Sequence, residues 1–273
     1  MDLFNLHNAD NHKYPVIVSI PHSGTFVPNE IRSSMLPSVV LSNVDWFLKE
    51  LYDFLPDMGI TVISSNISRY VIDLNRDKTE DINGEDFWTR LVHTHNTFGK
   101  PLYSRPLCSS EIQERLKQYY DPYHTALEKL IEEKLCFYNK VLLLDLHSFC
   151  VDFIEGANED ISLSNYNHQS STTQSIEALR DILAEQGYKV GINVIRGRYI
   201  LKNYKRIFKD NIDCIQVELR YSQYIGNRYY GEEELNSWNA ALFIDAKAKL
   251  RIAFTKLLNE MEEKMNFSKT HIN

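Results

Sequence analysis

The chain has 273 residues, of which 43% are hydrophobic and 25% charged, and its formal net charge at pH 7 is -7. This composition is typical of a globular protein with a large core, and the negative charge argues against nucleic-acid binding. No apolar stretch approaches the ~20 residues that cross a bilayer, and the amino terminus lacks the basic and apolar regions of a signal peptide. We therefore expect a cytoplasmic protein without nucleic-acid or membrane partners, of unknown oligomeric state.

In the first half of the chain, the apolar patterns predict three strands and one helix. Residues 16–20 form the first strand, which ends shortly before a histidine. In residues 42–55 the apolar side chains recur at helical spacing behind a polar cap. Residues 61–63 begin a second strand, and residues 70–74 are a third extended segment.

The second half continues this alternation of helices and strands. We predict a helix over residues 111–135 interrupted near Pro122, a strand ending at His147, a helix over 174–186, strands near 188–194 and over 214–219, and a final helix over roughly 232–263. Residues 150–173 are polar and irregular, which is typical of a functional or disordered loop. Because no repeat or linker interrupts the pattern, it predicts one α/β domain over residues 1–273, a three-layer α/β/α fold with a largely parallel or mixed central sheet.

Four cysteines lie far apart and form no CxxC pair: Cys108, Cys136, Cys150 and Cys214. This spacing argues against both a disulfide framework and a thiolate zinc site. We expect buried, reduced thiols in a cytoplasmic protein.

The most apolar run of the chain, Val141-Leu142-Leu143-Leu144, leads directly to a carboxylate and an imidazole. Such a run is typical of a strand buried on both faces of a parallel sheet. Because side chains alternate along a strand, Asp145 and His147 project from the same face. They do so at the carboxyl end, where open α/β sheets bind their ligands. This placement indicates site groups.

Three predicted strands end in a reactive side chain, namely His22, His147 and Glu218. Two neutral imidazoles and one carboxylate are the usual ligand set of a catalytic zinc site. We choose Asp45, predicted in the first turn of the 42–55 helix, as the third ligand. The alternative is that Asp45 only interacts favourably with the helix dipole. The zinc hypothesis requires His22 and His147 to lie within about 8 Å of each other.

Glu218 interrupts an apolar strand, although glutamate is rarely buried without a partner. One interpretation is a general base that accepts a proton from the attacking water. The alternative is a salt bridge to another core arginine or to Arg220, which lies two residues further along the same face of the strand. Both interpretations remain open at this point.

Residues 68–76 are dense in polar groups, with Arg69 and Arg76 at the ends of the predicted strand and Asp73 and Asn75 on one of its faces. Guanidinium groups suit carboxylate recognition and oxyanion stabilisation. Unpaired surface arginines are common, however, so composition alone leaves their role open.

Further cationic and imidazole groups are candidates for substrate binding. Arg196 and Arg198 flank Gly197, and His124 either faces the site or packs in the core. His93 follows a helix-like stretch, and we expect it to be solvated. The candidate substrate-binding residues are Asn75, His124, Arg196, Arg198 and Arg220.

Five motifs occur in one order along the chain: Pro21-His22-Ser23-Gly24, Asp45-Trp46, Ser68-Arg69-Tyr70-Val71-Ile72-Asp73-Leu74-Asn75-Arg76, Asp145-Leu146-His147-Ser148 and Gln216-Val217-Glu218-Leu219-Arg220. Together, over about residues 14–224, they resemble the N-formylglutamate amidohydrolase family, whose fold is similar to that of zinc-dependent exopeptidases. The resemblance implies that His22, Asp45 and His147 hold Zn²⁺ or another divalent metal. It also implies that Glu218 lies near the attacking water and that Arg69 and Arg76 face the substrate.

Two segments depart from the family pattern. Residues 193–199 lack the Pro-Tyr that is usual there, and an arginine replaces a glycine; residues 160–164 lack another usual glycine. Both departures fall in predicted substrate loops rather than at the metal ligands. They leave the hydrolytic core intact and put the substrate specificity in question.

The resemblance implies a metal-dependent hydrolase that cleaves the amide bond of a small N-acylated amino acid, with N-formyl-L-glutamate as the best candidate. One alternative is a deacylase or carboxypeptidase-like hydrolase of another acyl amino acid or peptide. Another is a metal-free protein that binds a small anion. Metal content and a panel of acylated amino acids distinguish these hypotheses.

Overall fold

A seven-stranded sheet runs through the described part of the protein. The computed structural model describes residues 2–79, 89–150, 158–226 and 233–270, without the side chains of residues 264–270. The strands are β1 (Phe4–His7), β2 (Val16–Ile20), β3 (Thr61–Ser65), β4 (Val141–Phe149), β5 (Ile161–Ser164), β6 (Val190–Ile192) and β7 (Ile212–Arg220). Their spatial order is β1-β3-β2-β4-β7-β5-β6.

The four central strands β3, β2, β4 and β7 are all parallel to one another. The edge strand β1 pairs antiparallel with β3, and β5 pairs antiparallel with β7 and parallel with β6. The α/β class with a largely parallel or mixed sheet is therefore confirmed. Because the central strands are parallel, their carboxyl ends meet at one edge of the sheet, where ligands bind in such folds.

Seven α-helices in the described ranges accompany the sheet: α1 (Asn29–Arg32), α2 (Leu48–Leu51), α3 (Ser109–Arg115), α4 (Asp121–Leu135), α5 (Thr173–Ala184), α6 (Tyr199–Phe208) and α7 (Ala240–Thr270). Helix α4 packs against β2 and β4, α6 against β7, and α5 against β5, β6 and α7. Among the described residues, no helix has the length and apolar character needed to cross a membrane.

Several predicted elements are confirmed. Strands β2 and β4 begin where the sequence predicts them, and β4 continues two residues beyond His147. The predicted helix over residues 111–135 appears as α3 and α4, joined by a π-helical turn over Leu116–Tyr120. Pro122 lies in the first turn of α4, immediately after this π-helical turn.

The helix predicted over residues 42–55 is wrong for most of its length, because α2 covers only Leu48–Leu51. Asn43 and Phe47 have φ angles of 53° and 59°, in the left-handed region that a right-handed helix excludes. Asp45 therefore lies in the loop before α2, and its N–H donates to the carbonyl of His22 (3.2 Å). The helix-dipole explanation of Asp45 no longer applies.

The strand predicted over residues 70–74 is a buried loop. Its backbone makes turn and loop hydrogen bonds, from Val71 to Ser68 (2.9 Å) and from Asp73 to Leu91 (2.8 Å). The apolar side chains of this segment are fully buried. A buried loop thus produces the same apolar run as a strand, and periodicity alone does not separate the two.

Strand β5 and helix α6 have no counterpart in the sequence-based prediction. Strand β5 has only four residues and lies in the stretch predicted to be irregular, of which residues 151–157 are outside the described ranges. Helix α6 packs on β7 through a short apolar stripe. The final helix begins at Ala240, and residue 232, its predicted start, is not described.

Two of the four cysteines contradict the predicted burial of all thiols. Cys150 and Cys214 are buried, but Cys108 and Cys136 are exposed. All four are free thiols, as expected.

Candidate metal centre

The two histidines and the aspartate chosen as metal ligands converge at the carboxyl edge of the sheet. His22 follows β2 by two residues, His147 lies near the end of the neighbouring strand β4, and the loop before α2 brings Asp45 between them. The ligand atoms of the three side chains all lie within 4.8 Å of one another, and all three residues are buried. The ring centroids of His22 and His147 are 4.8 Å apart, inside the required 8 Å.

Both imidazoles are oriented in the same way. The Nδ1 atom of His147 lies 2.9 Å from Oδ2 of Asp45, and Nδ1 of His22 lies 3.9 Å from the same oxygen. The opposite nitrogens contact carboxylates: Nε2 of His22 lies 2.7 Å from Asp73, and Nε2 of His147 lies 2.8 Å from Asp145. Metal-binding histidines commonly donate their second N–H to a carboxylate in this way, which fixes the tautomer and the ring orientation.

The electrostatics of the cluster favour a cation. Burial lowers the pKa of His147, but Asp145 and Asp45 together raise it well above its ordinary value. The two carboxylates thus favour positive charge beside this imidazole, and a metal ion would supply that charge in place of the proton. Burial, assisted by Arg69, lowers the pKa of His22 to about 4, which keeps that imidazole neutral as a metal ligand must be. The donor set and its charge both fit a divalent metal.

Asp145 is held by a network that extends away from the cluster. Ser19 Oγ donates to Asp145 (2.9 Å), and Asn75 Nδ2 donates to its other oxygen (3.3 Å). The amide oxygen of Asn75 accepts the backbone N–H of Ile200 in the first turn of α6 (2.9 Å). Asn75, a candidate substrate-binding residue, thus lines the cavity while its amide holds Asp145 and α6 in place.

Glu218 is the register partner of His147 on the neighbouring parallel strand β7. Gln216 Nε2 donates to its carboxylate (2.9 Å), and both side chains line the cavity. Burial raises the pKa of Glu218 to about 8, although the charge of His147 opposes this shift. Gln216 is not among the predicted site residues. It could have been predicted, because a residue two positions before Glu218 lies on the same face of the strand.

Arg220 extends to other partners. Its Nε donates to the carbonyl of Glu159 (2.5 Å), and its guanidinium lies 4.9 Å from the ring centroid of Phe149. It does not belong to the lining of the described cavity. Within the described residues, Glu218 makes a side-chain hydrogen bond with Gln216, and no salt bridge between Glu218 and Arg220 is present.

Arg69 and Arg76 are both buried and both line the cavity. Arg69 Nη2 donates to Oδ2 of Asp73 (2.7 Å), and Arg76 Nη1 lies 3.7 Å from the same oxygen. Burial alone raises the pKa of Asp73, but Arg76, His22 and Arg69 hold it well below its usual range. The ionised Asp73 therefore joins the two arginines to the imidazole of His22.

A cavity of about 410 Å³ opens beside the cluster. Glu218, Gln216 and the two buried arginines contribute polar groups, and Phe149, Val194 and Ile195 form an apolar wall. Arg196 and Arg198 also line it, with exposed side chains. Arg196 donates to Tyr166 Oη (3.1 Å), and its guanidinium lies 5.1 Å from the centroid of the same ring.

Two other histidines are buried outside the cavity lining, and for His124 this is the core packing that was one of the two alternatives predicted from the sequence. His124 is buried outside the cavity lining, with Nδ1 2.9 Å from Tyr204 Oη and Nε2 3.0 Å from the carbonyl of Leu74. His93, expected to be solvated, is fully buried, and its Nε2 lies 3.0 Å from Oδ2 of Asp73. The solvated position predicted for His93 is therefore wrong, because its polar neighbours in sequence do not report its tertiary contacts.

A buried pair of histidines with a carboxylate, at the carboxyl edge of a mostly parallel sheet and beside a polar cavity, is typical of α/β hydrolases that use a divalent metal. The sequence model of the N-formylglutamate amidohydrolase family matches residues 14–225. The chain belongs to this family and is a hydrolase of it, as the five motifs indicated.

Curated relatives and solved structures agree with this membership. The chain is 29% identical to an N-formylglutamate deformylase of Pseudomonas putida over 221 residues, 78% of this chain and 82% of that protein. Its identity to the corresponding deformylase of Pseudomonas aeruginosa is 25%, over 78% of this chain and 83% of that protein. The crystal structure of N-formylglutamate amidohydrolase from Ralstonia eutropha JMP134 aligns with a TM-score of 0.80 and 25% identity, covering 93% of this chain and 98% of that one.

Proposed function

We propose that this protein hydrolyses the amide bond of a small N-acylated amino acid, with N-formyl-L-glutamate as the substrate and formate and L-glutamate as the products. The observation that carries the proposal is the convergence of the ligand atoms of His22, Asp45 and His147 within 4.8 Å of one another. The names of the Pseudomonas relatives, N-formylglutamate deformylases, support the choice of substrate.

His22 and His147 would hold the metal through Nδ1, and Asp45 would hold it through Oδ2, because these are the atoms that face one another. A bound Zn²⁺, or another divalent ion, polarises the substrate carbonyl and lowers the pKa of water. Asp73 and Asp145 accept hydrogen bonds from the outer nitrogens and keep both imidazoles in the orientation that presents Nδ1.

Glu218 is the proposed general base. Its carboxylate accepts a proton from the attacking water and delivers it to the amide nitrogen as the C–N bond breaks, so that one water yields one carboxylic acid and one amine. Its raised pKa suits both halves of this transfer, because a group with a pKa near neutrality both accepts and returns a proton. The hydrogen bond from Gln216 orients the carboxylate.

The arginines supply the positive charge that a dianionic substrate requires in a protein of net charge -7. Arg69 and Arg76, buried beside the metal ligands, stabilise the developing oxyanion or bind a carboxylate. Arg196 and Arg198, whose side chains are exposed, bind the substrate carboxylate that lies farther from the proposed metal. His124 and Arg220 have no role in this proposal, because neither lines the cavity.

Metal analysis of the purified protein tests the central claim. One equivalent of a divalent ion is expected in the wild type and in His168→Ala, a control at an exposed histidine. The ion is expected to be lost from His22→Ala. A wild type without stoichiometric metal would contradict the proposal and favour the metal-free anion-binding protein.

A second candidate, hydrolysis of a larger acyl group, is favoured by one observation. The apolar wall formed by Phe149, Val194 and Ile195 offers contacts that a formyl group does not fill. A panel of N-formyl, N-acetyl, N-butyryl and N-succinyl L-glutamates decides between the two. The highest kcat/KM is expected for the formyl compound, and a preference for a longer acyl chain would reject the formyl assignment while keeping the hydrolase.

A further inference from the structure

His93 is a buried histidine that the proposed reaction does not use. It has no exposed surface, and it lies in a segment without regular secondary structure, outside the strands that carry His147 and Glu218. Its Nε2 atom is 3.0 Å from Oδ2 of Asp73. Burial lowers the pKa of His93, so the imidazole is neutral and Nε2 carries the hydrogen that the carboxylate accepts.

Each of the two carboxylate oxygens of Asp73 accepts hydrogen bonds from its own pair of donors. Oδ1 accepts from Nε2 of His22 (2.7 Å) and from the backbone N–H of Asn75 (2.9 Å). Oδ2 accepts from Arg69 Nη2 (2.7 Å) and from Nε2 of His93. With two donors on each oxygen, the carboxylate has one satisfied orientation, and any rotation breaks hydrogen bonds in a buried site.

This fixed carboxylate determines how His22 is presented. An ionised carboxylate only accepts hydrogen bonds, so the Nε2 atom of His22 must carry the hydrogen, and its Nδ1 atom is left with a lone pair. That Nδ1 atom faces Oδ2 of Asp45 at 3.9 Å, on the side where the proposed metal is held. The orientation of the metal ligand thus depends on donors on the far side of Asp73.

We propose that His93 is a positioning residue for the metal ligand His22, acting through Asp73. The proposal rests on the proposed function, since it takes His22 as a ligand. His93 is neutral and does not touch the cluster, so its removal changes no charge at the metal. Its loss would free one side of Oδ2, allow the carboxylate to turn, and loosen the ring of His22.

The experiment measures the Zn²⁺ dissociation constant of the whole chain by competition with a chromogenic chelator. His93→Leu removes the donor, and His93→Gln keeps an N–H close to the position of Nε2. We expect His93→Leu to raise the dissociation constant about 10-fold, within the range seen when outer partners of metal ligands are removed. His93→Gln is expected to stay within about threefold of the wild type, because the conservative variant restores the bond to Asp73.

A matched control separates positioning from a general loss of stability. His124 is likewise a buried histidine with both ring nitrogens in contact with polar atoms, but it does not touch Asp73. His124→Leu is expected to lower the unfolding temperature to a similar extent as His93→Leu and to leave the Zn²⁺ dissociation constant unchanged. Equal Zn²⁺ affinities of His93→Leu and the wild type, or equal weakening in His93→Leu and His93→Gln, would overturn the proposal.

The visible spectrum of the Co²⁺-substituted protein gives a second readout. His93→Leu is expected to shift the absorption bands, because the orientation of one ligand changes, whereas His93→Gln keeps the wild-type spectrum. If His93→Leu does not fold, His93→Asn, whose shorter side chain does not reach Asp73, takes its place in both measurements. Failure of the wild type to bind Zn²⁺ at all would refute the proposed function itself, which distinguishes the two failures.

Discussion

The Nδ1 atom of His147 lies 2.9 Å from Oδ2 of Asp45, although 102 positions separate the two residues in the chain. The contact joins the end of a central strand to the loop before α2. Both side chains are buried, and the ligand atoms of both also lie within 4.8 Å of the imidazole of His22. The arrangement is consistent with a site for a cation shared by the three side chains.

Asp45→Asn removes the negative charge of this ligand and keeps its shape. We expect the Zn²⁺ dissociation constant to rise at least about 100-fold, more than for an outer partner, because an anionic ligand is lost. Metal analysis after dialysis against a dilute chelator measures the effect. Asp57→Asn, at an exposed aspartate, is the control and is expected to retain the ion. Full metal retention in Asp45→Asn would show that this residue is not a ligand.

Glu218→Gln tests the general base without changing the volume of the side chain. We expect kcat for N-formyl-L-glutamate to fall about 10²- to 10⁴-fold, the usual contribution of a positioned acid or base. Zn²⁺ stoichiometry is expected to stay at one, because Glu218 is not among the three ligands. Glu177→Gln, at an exposed glutamate, controls for the substitution itself. A variant that keeps kcat within threefold of the wild type would remove Glu218 from the chemistry.

The residues at the strand ends could be predicted from the sequence, because they depend on local patterns of apolar and polar residues. The unbroken aliphatic run before Asp145 predicts a buried parallel strand, and alternation then places His147 at its rim. The structure has this strand, with His147 and Glu218 side by side in the ladder. The mainly parallel sheet follows from the same local patterns.

The path of the chain to Asp45 was not accessible, because it depends on tertiary contacts. The helical spacing of apolar residues is present over 42–55, yet Asn43 and Phe47 adopt left-handed backbone conformations. The burial of those apolar side chains in the core overrides their helical preference. Asp45 thus reaches the cluster from a loop, where the sequence predicted a helix.

The Asp73 contacts are the clearest case of information that local patterns do not contain. His93 and Asp73 are 20 positions apart, and His22 and Asp73 are 51 apart. The segment around Asp73 has the apolar content of a strand, but the carboxylate of Asp73 contacts His22 and His93, which other parts of the chain bring to it. Only the assembled fold shows that one carboxylate connects these groups.

His124 makes the stability of the protein depend on pH. Burial lowers its pKa to about 4, whereas an unfolded histidine titrates near ~6.5. The unfolded state therefore binds more protons between these values, so the stability that neutral His124 contributes is present above about pH 6.5 and is lost as the pH falls toward 4. Between pH 7 and pH 5 this group accounts for a loss of about 2 kcal/mol in the free energy of unfolding.

His124→Gln removes this titration and keeps an N–H for the carbonyl of Leu74. Urea unfolding at pH 7 and pH 5, with a chelator present to remove bound metal, measures the difference. We expect the variant to lose about 2 kcal/mol less than the wild type over this interval. An equal loss in both proteins would mean that His124 is already free to accept a proton in the folded state.

Arg198 lines the cavity at the start of α6 with an exposed side chain that has no hydrogen-bond partner within the described ranges. The loop that carries it is held in place, because Ser164 Oγ accepts the N–H of Gly197 (2.8 Å), and a Cβ at Gly197 would lie 2.9 Å from that oxygen.

Arg198→Ala is expected to raise KM for N-formyl-L-glutamate about 10-fold and to leave kcat within threefold. The effect on KM is modest because an exposed hydrogen bond between charged groups contributes less free energy than a buried one. Arg251→Ala, on the exposed face of α7, is expected to change neither constant. N-formyl-L-norvaline, which lacks the side-chain carboxylate, identifies the contact. If Arg198→Ala raises KM only for the glutamate compound, Arg198 binds the side-chain carboxylate; if it raises KM equally for both compounds, Arg198 binds the α-carboxylate. An unchanged KM for both compounds would remove Arg198 from the substrate site.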